Sequence, residues 1–175
     1  MSGKKIYLLD ANAFIEAKNA FYSFSICPGY WKSLIEHGKV ENVGSIDKIR
    51  NEILSNKHGD ELKEFIKKKL PRIFFDKTDI PTVANRFSEI INWVDGKKQY
   101  EKQAKAKFAI GADGWLIAFA SLDTDNRIVV TQEVSAEDSK TKIKIPDVCK
   151  PFGVNSINLF KMLSDLTISF DYSGA

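Results

Sequence analysis

Three features of the amino-acid sequence predict an α/β protein with three layers, α/β/α, and a central parallel sheet. Segments with strand character alternate with segments of helical character, an order that favours parallel pairing. The first strand segment contains the adjacent apolar residues Leu8 and Leu9, as expected of a strand that is covered on both faces. The chain has 175 residues, of which 43% are hydrophobic, enough for one full core but not for two.

The domain is predicted to span residues 4–170, with flexible termini at residues 1–3 and 171–175. The net charge of +3 is mildly basic, which permits a polyanionic partner without requiring one. No apolar run approaches the roughly 18 residues of a membrane span, and no signal peptide is recognisable. We expect a cytoplasmic protein with no membrane association, in which Cys27 and Cys149 are buried, reduced thiols.

The first half of the chain is predicted to alternate short strands with helices. We predict strands at residues 5–9 and 40–43, and helices at 11–18, at 30–38, from 45 onward and from 60 to 70. Gly38 is suited to end the second helix, and Ser45 is suited to cap the start of the third. Pro71 is expected to terminate the fourth helix.

The second half of the chain contains the most apolar predicted helix and a strand rich in β-branched residues. We predict helices at residues 81–96, 111–120 and 157–166, and strands at 127–131 and 142–145. The helix at 111–120 is apolar almost all round and is therefore expected to be central. Lysines between residues 97 and 107 belong either to an exposed connection or helix start or to a surface that follows phosphates.

Acidic residues stand at the places where this fold collects functional groups. Asp10 follows the first strand, and Glu133 follows the strand at 127–131. Because carboxyl ends of parallel strands share one edge of a sheet, these two side chains can converge there. Asp113 lies in the first turn of the central helix, and Glu52 flanks the buried face of the third helix. Taken alone, Asp113 is explained by the helix dipole and Glu52 by a solvated helix surface.

Four carboxylates in one crevice repel each other strongly unless a divalent cation neutralises them. Oxygen ligands of this kind suit Mg²⁺ or Mn²⁺. Such ions generate hydroxide from bound water and neutralise the charge that grows on a phosphodiester. The acidic residues therefore predict metal-dependent hydrolysis of a nucleic-acid backbone.

The sequence resembles the PIN domain, and more closely a PIN-like branch of toxin-like proteins. The matching segments are Leu8–Asn12, Ile49–Ile53, Ala112–Ala118 and Val129–Glu133. These segments are distributed over most of the chain. The four segments in this order are a more specific signature than any one segment alone. Further similarity to that branch lies in the helix with Trp31 and in the segments Ile145–Cys149 and Gly153–Asn155.

The resemblance implies a Mg²⁺- or Mn²⁺-dependent ribonuclease, often the toxin of a type II toxin–antitoxin pair. Carried over residue by residue, it makes Asp10, Glu52 and Asp113 the main acidic site. Asn12 and Thr131 would be polar groups that support this site. We expect RNA as the substrate and a cognate antitoxin as a possible protein partner. The protein itself could form a homodimer.

Glu133 departs from the pattern of the family. Many PIN domains have an aspartate two residues after the threonine, where this chain has the longer Glu133. Glu133 is included among the four expected metal ligands, but direct ligation, ligation through water and no ligation all stay open. Glu137 or Asp138 could replace Glu133 if the following loop folds back.

Two other function classes compete with the endoribonuclease. One is a PIN-like module that binds RNA or a protein and has weak catalysis, motivated by Glu133 and the modest net charge. The other is a phosphatase with Asp10 as its nucleophile, since an aspartate after a first parallel strand also occurs in such enzymes. Those enzymes need a second aspartate two residues later, where this chain has Asn12, so we rank this reading last.

Overall fold

The computed structural model describes residues 3–55 and 60–171, and it contains a central sheet of five parallel strands. The strands are β1 (Ile6–Leu9), β2 (Val43–Ile46), β3 (Phe75–Asp76), β4 (Arg127–Val130) and β5 (Asn155–Ile157). Their order in the sheet is β3-β2-β1-β4-β5, and every pairing is parallel. Helices flank this sheet, so the predicted three-layer α/β/α fold is confirmed.

Strand β1 occupies the centre of the sheet, and the strand order reverses beside it. From β1 the chain moves outward through β2 and β3 on one side, and β4 and β5 lie on the other. Leu9 of β1 pairs with Val130 of β4, so Asp10 and Thr131 leave the sheet side by side. In open α/β sheets a crevice forms outside the carboxyl ends of the strands at such a reversal.

The helices follow the periodic apolar segments of the sequence. They are α1 (Ala11–Glu16), α2 (Pro28–Lys39), α3 (Asp47–Ser55), α4 (Asp60–Lys68), α5 (Pro81–Gly96), α6 (Lys102–Ile110), α7 (Asp113–Ser121), α8 (Ile145–Cys149) and α9 (Leu159–Asp165). A π-helical segment, Ala17–Phe21, continues from α1. Pro28 and Pro81 stand at the starts of α2 and α5, where the missing N–H of proline costs nothing.

Helix α7 is buried on nearly all sides, as its apolar sequence predicts. Leu116, Ile117 and Ala118 are completely inaccessible to solvent. A Cβ atom on Gly114 would lie 2.9 Å from the ring of Phe87, which itself stacks on Trp115 with ring centroids 4.1 Å apart. Gly114 therefore permits close packing between α7 and α5.

The second strand lies three residues later than the sequence predicts. Val43–Ile46 forms β2, and helix α3 begins only at Asp47. The expectation that Ser45 caps this helix is therefore wrong. Ser45 lies within the strand, and its Oγ donates a hydrogen bond of 2.6 Å to the carbonyl oxygen of Leu9. Pairing with β1 decided this boundary, because a strand forms where a partner strand satisfies its backbone.

The predicted strand at residues 142–145 is also wrong. Residues 142–144 have no regular secondary structure, and α8 begins at Ile145. The alternation arises because Ile143 and Ile145 are buried, while Lys142 is exposed. Strands β3 and β5 were not predicted, because two or three residues are too few to show periodicity. Strand β5 takes the start of the predicted terminal helix, which begins instead at Leu159.

Neither cysteine of the chain forms a disulfide. Cys27 and Cys149 are both free thiols; Cys149 is buried, as predicted, whereas Cys27 is half-buried. In the described part of the chain, no helix has the length and hydrophobicity that crossing a bilayer requires. The prediction of flexible termini falls largely on residues 1–2 and 172–175, which lie outside the described residues.

Candidate active site

Asp10 stands at the end of β1 and also caps helix α1. Its backbone is extended, and its Oδ1 accepts a hydrogen bond of 2.6 Å from the amide of Ala13. Its Oδ2 accepts a hydrogen bond of 2.7 Å from Thr131 Oγ1. Only 1% of the residue is exposed. The apolar strand thus delivers a carboxyl group into a buried position where both oxygens are oriented.

Burial is the main reason why the pKa of Asp10 rises from 3.8 to about 8. The hydrogen bonds from Thr131 and Ala13 oppose this rise, whereas the charges of Asp113 and Glu133 add to it. Two effects therefore act against a negative charge on Asp10, namely loss of water and like charge. A cation next to Asp10 would counter both.

Asp113 occupies the first turn of α7, where the helix dipole favours an acid. Burial, together with the charges of Glu133 and Glu52, nevertheless raises its pKa from 3.8 to about 7. Lys107 and Lys144 act in the opposite direction. The pKa of Asp113 therefore depends on acids from α3 and from the segment after β4, which the structure brings close to it.

Glu52 reaches from α3 toward the start of α7. Its Oε2 accepts a long hydrogen bond of 3.4 Å from the amide of Ala112, the residue before Asp113. Glu52 also lines the same cavity as Asp113. The side chain is therefore directed toward the candidate site, in contrast to the solvated helix surface that is the commoner location for such a glutamate.

Glu133 follows β4 and is held by the segment that leads into α8. Its Oε1 forms an ion pair of 3.0 Å with Lys144 Nζ, and its Oε2 accepts a hydrogen bond of 2.9 Å from the amide of Ile145. The two charged side chains are only 16% and 22% exposed. The backbone amide of Glu133 donates a hydrogen bond of 3.0 Å to Thr131 Oγ1. Both carboxylate oxygens of Glu133 thus already have partners.

These residues surround a cavity of about 530 Å³. The carboxylates of Glu52, Asp113 and Glu133 line it, together with the exposed side chain of Asn12. Asp10 is buried and does not itself line the cavity, although the residue after it, Ala11, does. The same cavity is lined by three lysines, Lys107, Lys142 and Lys144. A cavity lined by both carboxylates and lysines suits the binding of a cation together with an anion.

The chemistry of these side chains fits a hard divalent cation. Among the residues described, no three or more His, Cys, Asp or Glu side chains are grouped so that they could hold a metal ion by themselves. Mg²⁺ does not require such a set, since it commonly keeps several waters and binds through one or two carboxylates. The raised pKa values of Asp10 and Asp113 indicate carboxyl groups that a cation would stabilise as carboxylates.

The structure brings the six residues singled out in the sequence to one region. Glu52, Asp113, Glu133 and Asn12 line the cavity, whereas Asp10 and Thr131 are buried, do not line it and are hydrogen-bonded to each other. Glu137 does not replace Glu133, because it pairs with Lys150 at 2.9 Å and lines a different cavity. Asp138 is exposed.

Lys144 belongs to this region, although its place in the sequence gives no sign of it. Lys144 lies in a stretch where lysine and isoleucine alternate, residues 142–145, and this alternation is typical of a strand. Glu133 and Lys144 are 11 residues apart, and no continuous helix or strand joins them, so no local periodicity could have linked the two.

A family model described as "Domain of unknown function (DUF4411)" matches residues 7–170. This match includes every candidate site residue. No curated protein and no solved structure matches the chain.

Proposed function

The chain belongs to the DUF4411 family, and from the site that it carries we propose that it is a metal-dependent endoribonuclease. One observation carries this proposal. The carboxylates of Glu52, Asp113 and Glu133 line one cavity near the end of β1, where Asp10 stands, at the reversal of the strand order. A parallel sheet places ligand sites at this edge, and a structural role does not require four acids there.

The carboxyl groups of Asp10, Glu52 and Asp113 would hold Mg²⁺ or Mn²⁺. When bound, such an ion lowers the pKa of a coordinated water and neutralises charge on a phosphodiester. In the hydrolysis, the oxygen of a water adds to phosphorus, the bond from phosphorus to one ester oxygen breaks, and that oxygen takes a proton. Thr131 keeps Asp10 oriented throughout, through its hydrogen bond to Oδ2.

The lysines that line the cavity support a polyanionic substrate. Lys107 and Lys142 are exposed, so their ammonium groups are accessible to phosphates on either side of the bond to be cleaved. Contacts of this kind hold a backbone without reading its sequence. Asn12 would contribute a neutral polar group at the same wall.

The proposal extends to the PIN-like branch of toxin-type ribonucleases. The four segments that carry this resemblance coincide with the ends of β1 and β4 and with α3 and α7, the elements that bear the site. As part of the same proposal, the protein acts in the cytoplasm as the toxin of a type II pair. A cognate antitoxin would be its protein partner, and a homodimer its assembly.

The direct test is cleavage of a single-stranded RNA with Mg²⁺ or Mn²⁺, compared with the same reaction in EDTA. Asp10→Asn keeps the shape of the side chain and an oxygen for the Ala13 amide but removes the charge. We expect this variant and the EDTA reaction to lose cleavage, and single-stranded DNA of the same sequence to be a poor substrate. Equal cleavage by Asp10→Asn and the unmodified protein would refute the proposal.

Asp47→Asn is the matched control for this substitution. Asp47 Oδ1 accepts a hydrogen bond of 2.6 Å from Thr78 Oγ1, much as Asp10 accepts one from Thr131. Asp47 does not line the cavity of the acidic residues. A loss of cleavage that is specific to the site therefore affects Asp10→Asn and spares Asp47→Asn.

The second candidate is a PIN-like module that binds RNA or a protein and has lost efficient catalysis. The engagement of both Glu133 oxygens by Lys144 and Ile145 favours this alternative, because it withdraws one acid from metal binding. Isothermal titration with Mn²⁺ separates the candidates. Measurable Mn²⁺ affinity together with RNA cleavage supports the enzyme, whereas RNA binding in EDTA without Mn²⁺ affinity supports the module.

A further inference from the structure

The ion pair between Glu133 and Lys144 differs from the other ion pairs of the described chain by its burial. Its side chains are 16% and 22% exposed, whereas those of the pair between Glu137 and Lys150 are 64% and 78% exposed. An exposed pair contributes little, because both side chains are solvated and mobile. A largely buried pair with a further backbone hydrogen bond holds its members in one place.

A continuous series of hydrogen bonds connects Asp10 to Lys144. Thr131 Oγ1 donates to Asp10 and accepts from the amide of Glu133. The carboxylate of Glu133 in turn binds the ammonium of Lys144. The position of the Lys144 charge is thus set from the central strand, although Lys144 itself belongs to a segment without regular structure.

Glu133 is less suited to bind a metal ion than Asp10, whose oxygens also both accept hydrogen bonds but only from the neutral Ala13 amide and Thr131 hydroxyl. Oε1 binds the ammonium of Lys144 and Oε2 binds the amide of Ile145. Recruitment of Glu133 as a metal ligand would require the ion to compete with the Lys144 charge and would leave that charge without its partner inside the cavity wall. Asp10 and Asp113 have no ion pair with a lysine or arginine in the described chain.

We propose that Glu133 positions Lys144 and does not bind metal, and that the site takes one divalent cation with Lys144 as its second positive charge. This inference rests on the proposed nuclease function and adds the composition of its site. The ammonium of Lys144 has three donors, of which Glu133 uses one, and Lys144 lines the cavity. The remaining donors are available to a non-bridging oxygen of the phosphodiester whose ester bond is cleaved.

The first experiment counts Mn²⁺ ions by titration calorimetry and by electron paramagnetic resonance of free Mn²⁺. We expect one ion per chain in the unmodified protein and in Glu133→Gln, with Mn²⁺ affinities within about threefold of each other. The reason is that affinity changes strongly only when a metal ligand, or a residue that orients a ligand, is replaced. Asp113→Asn should weaken binding by more than about a hundredfold, since loss of a ligand costs more than loss of an outer partner.

Three results of that titration would overturn the inference. Two ions per chain in the unmodified protein would overturn it while leaving the nuclease function intact. Weakening by Glu133→Gln as large as that by Asp113→Asn would assign Glu133 to the metal. Absence of any bound ion would overturn the proposed function as well, so the two failures are distinguishable.

The second experiment measures the RNA cleavage rate at saturating Mn²⁺. Lys144→Met should lower kcat by about a hundredfold, the usual effect of removing a preorganised group that stabilises charge in the transition state. Lys144→Arg should restore part of the lost kcat, because it keeps the positive charge. Glu133→Gln should lower kcat by about tenfold through misplacement of Lys144, at unchanged Mn²⁺ affinity. Circular dichroism of each variant checks folding.

Lys150→Met and Glu137→Gln provide the matched control, because they remove the members of an exposed ion pair at another cavity. Both should cleave at the unmodified rate. Full activity of folded Lys144→Met would overturn the inference. If Lys144→Met does not fold, an unchanged kcat of Glu133→Gln overturns it in the same way.

Discussion

Thr131 Oγ1 donates a hydrogen bond of 2.7 Å to Asp10 Oδ2, across the junction between the neighbouring strands β1 and β4. Both residues are buried, at 3% and 1% exposure. The same hydroxyl oxygen accepts a hydrogen bond from the amide of Glu133. One threonine therefore orients the central carboxyl group and fixes the segment that follows β4.

Replacement of Thr131 by valine tests this relationship. Thr131→Val should lower the free energy of unfolding by about 1–3 kcal/mol, because it leaves buried polar groups without a partner. It should also weaken Mn²⁺ binding by about 10–100-fold, as expected when an outer partner of a ligand is lost. Urea unfolding and Mn²⁺ titration measure the two effects, and Thr131→Ser should retain most of both properties.

Thr78→Val is the control, since Thr78 makes the corresponding hydrogen bond to Asp47 outside the acidic cavity. It should affect stability and leave Mn²⁺ affinity unchanged. Equal Mn²⁺ affinities of Thr131→Val and the unmodified protein would show that Thr131 does not support the metal site.

The stability of the metal-free protein should fall as the pH rises from about 5 to about 8. The pKa values of Asp10 and Asp113 are raised to about 8 and about 7 in the folded chain, from 3.8 in the absence of the fold. Between these values the folded chain binds more protons than the unfolded chain, so raising the pH favours unfolding. In EDTA, the melting temperature should be several degrees lower at pH 8.5 than at pH 6.

The double variant Asp10→Asn, Asp113→Asn should show a weaker pH dependence, because it lacks both titrating groups. Mn²⁺ should raise the melting temperature most at high pH, where it does not compete with protons for the carboxylates. A melting temperature of the EDTA-treated protein that rises from pH 6 to pH 8.5 would contradict the raised pKa values.

Gly114 of α7 should not tolerate alanine. A Cβ atom there would lie 2.9 Å from the ring of Phe87 and 3.2 Å from that of Phe108. Gly114→Ala should lower the free energy of unfolding by about 1–3 kcal/mol, the usual cost of overpacking a core. Gly96→Ala is the control, because nothing lies within 4 Å of a Cβ atom at Gly96. Urea unfolding measures the free energy of unfolding of both variants. Equal values for Gly114→Ala and Gly96→Ala would mean that the interface of α5 and α7 adapts to the added methyl group.

Ser45 should contribute to stability through its hydrogen bond to the carbonyl oxygen of Leu9. Ser45→Ala removes a buried hydroxyl and should cost about 1 kcal/mol. Ser88→Ala is the exposed counterpart, since Ser88 Oγ bonds the carbonyl oxygen of Ala84 within its own helix. Its stability should change by less than about 0.5 kcal/mol. Chemical denaturation that ranks the two variants in the opposite order would contradict the strand position of Ser45.

Much of the fold could be predicted because several elements carry their own signal. Helix α5 begins at the predicted Pro81 and ends at the predicted Gly96, where proline and glycine act locally. Helix α7 is buried as its continuous apolar sequence requires. Strand β2 was predicted three residues too early and strands β3 and β5 were not predicted, since backbone hydrogen bonds to a neighbour elsewhere in the chain set the bounds of each.

In the candidate site, the position of Asp10 at the end of an apolar strand and that of Asp113 at the start of a buried helix could be predicted from the sequence. Both follow from local patterns of hydrophobicity. Only the tertiary structure decided that Glu133 pairs with Lys144 and that Thr131 binds Asp10. The physical reason is that hydrogen bonds and ion pairs between distant segments depend on how the strands pair, which no local periodicity encodes.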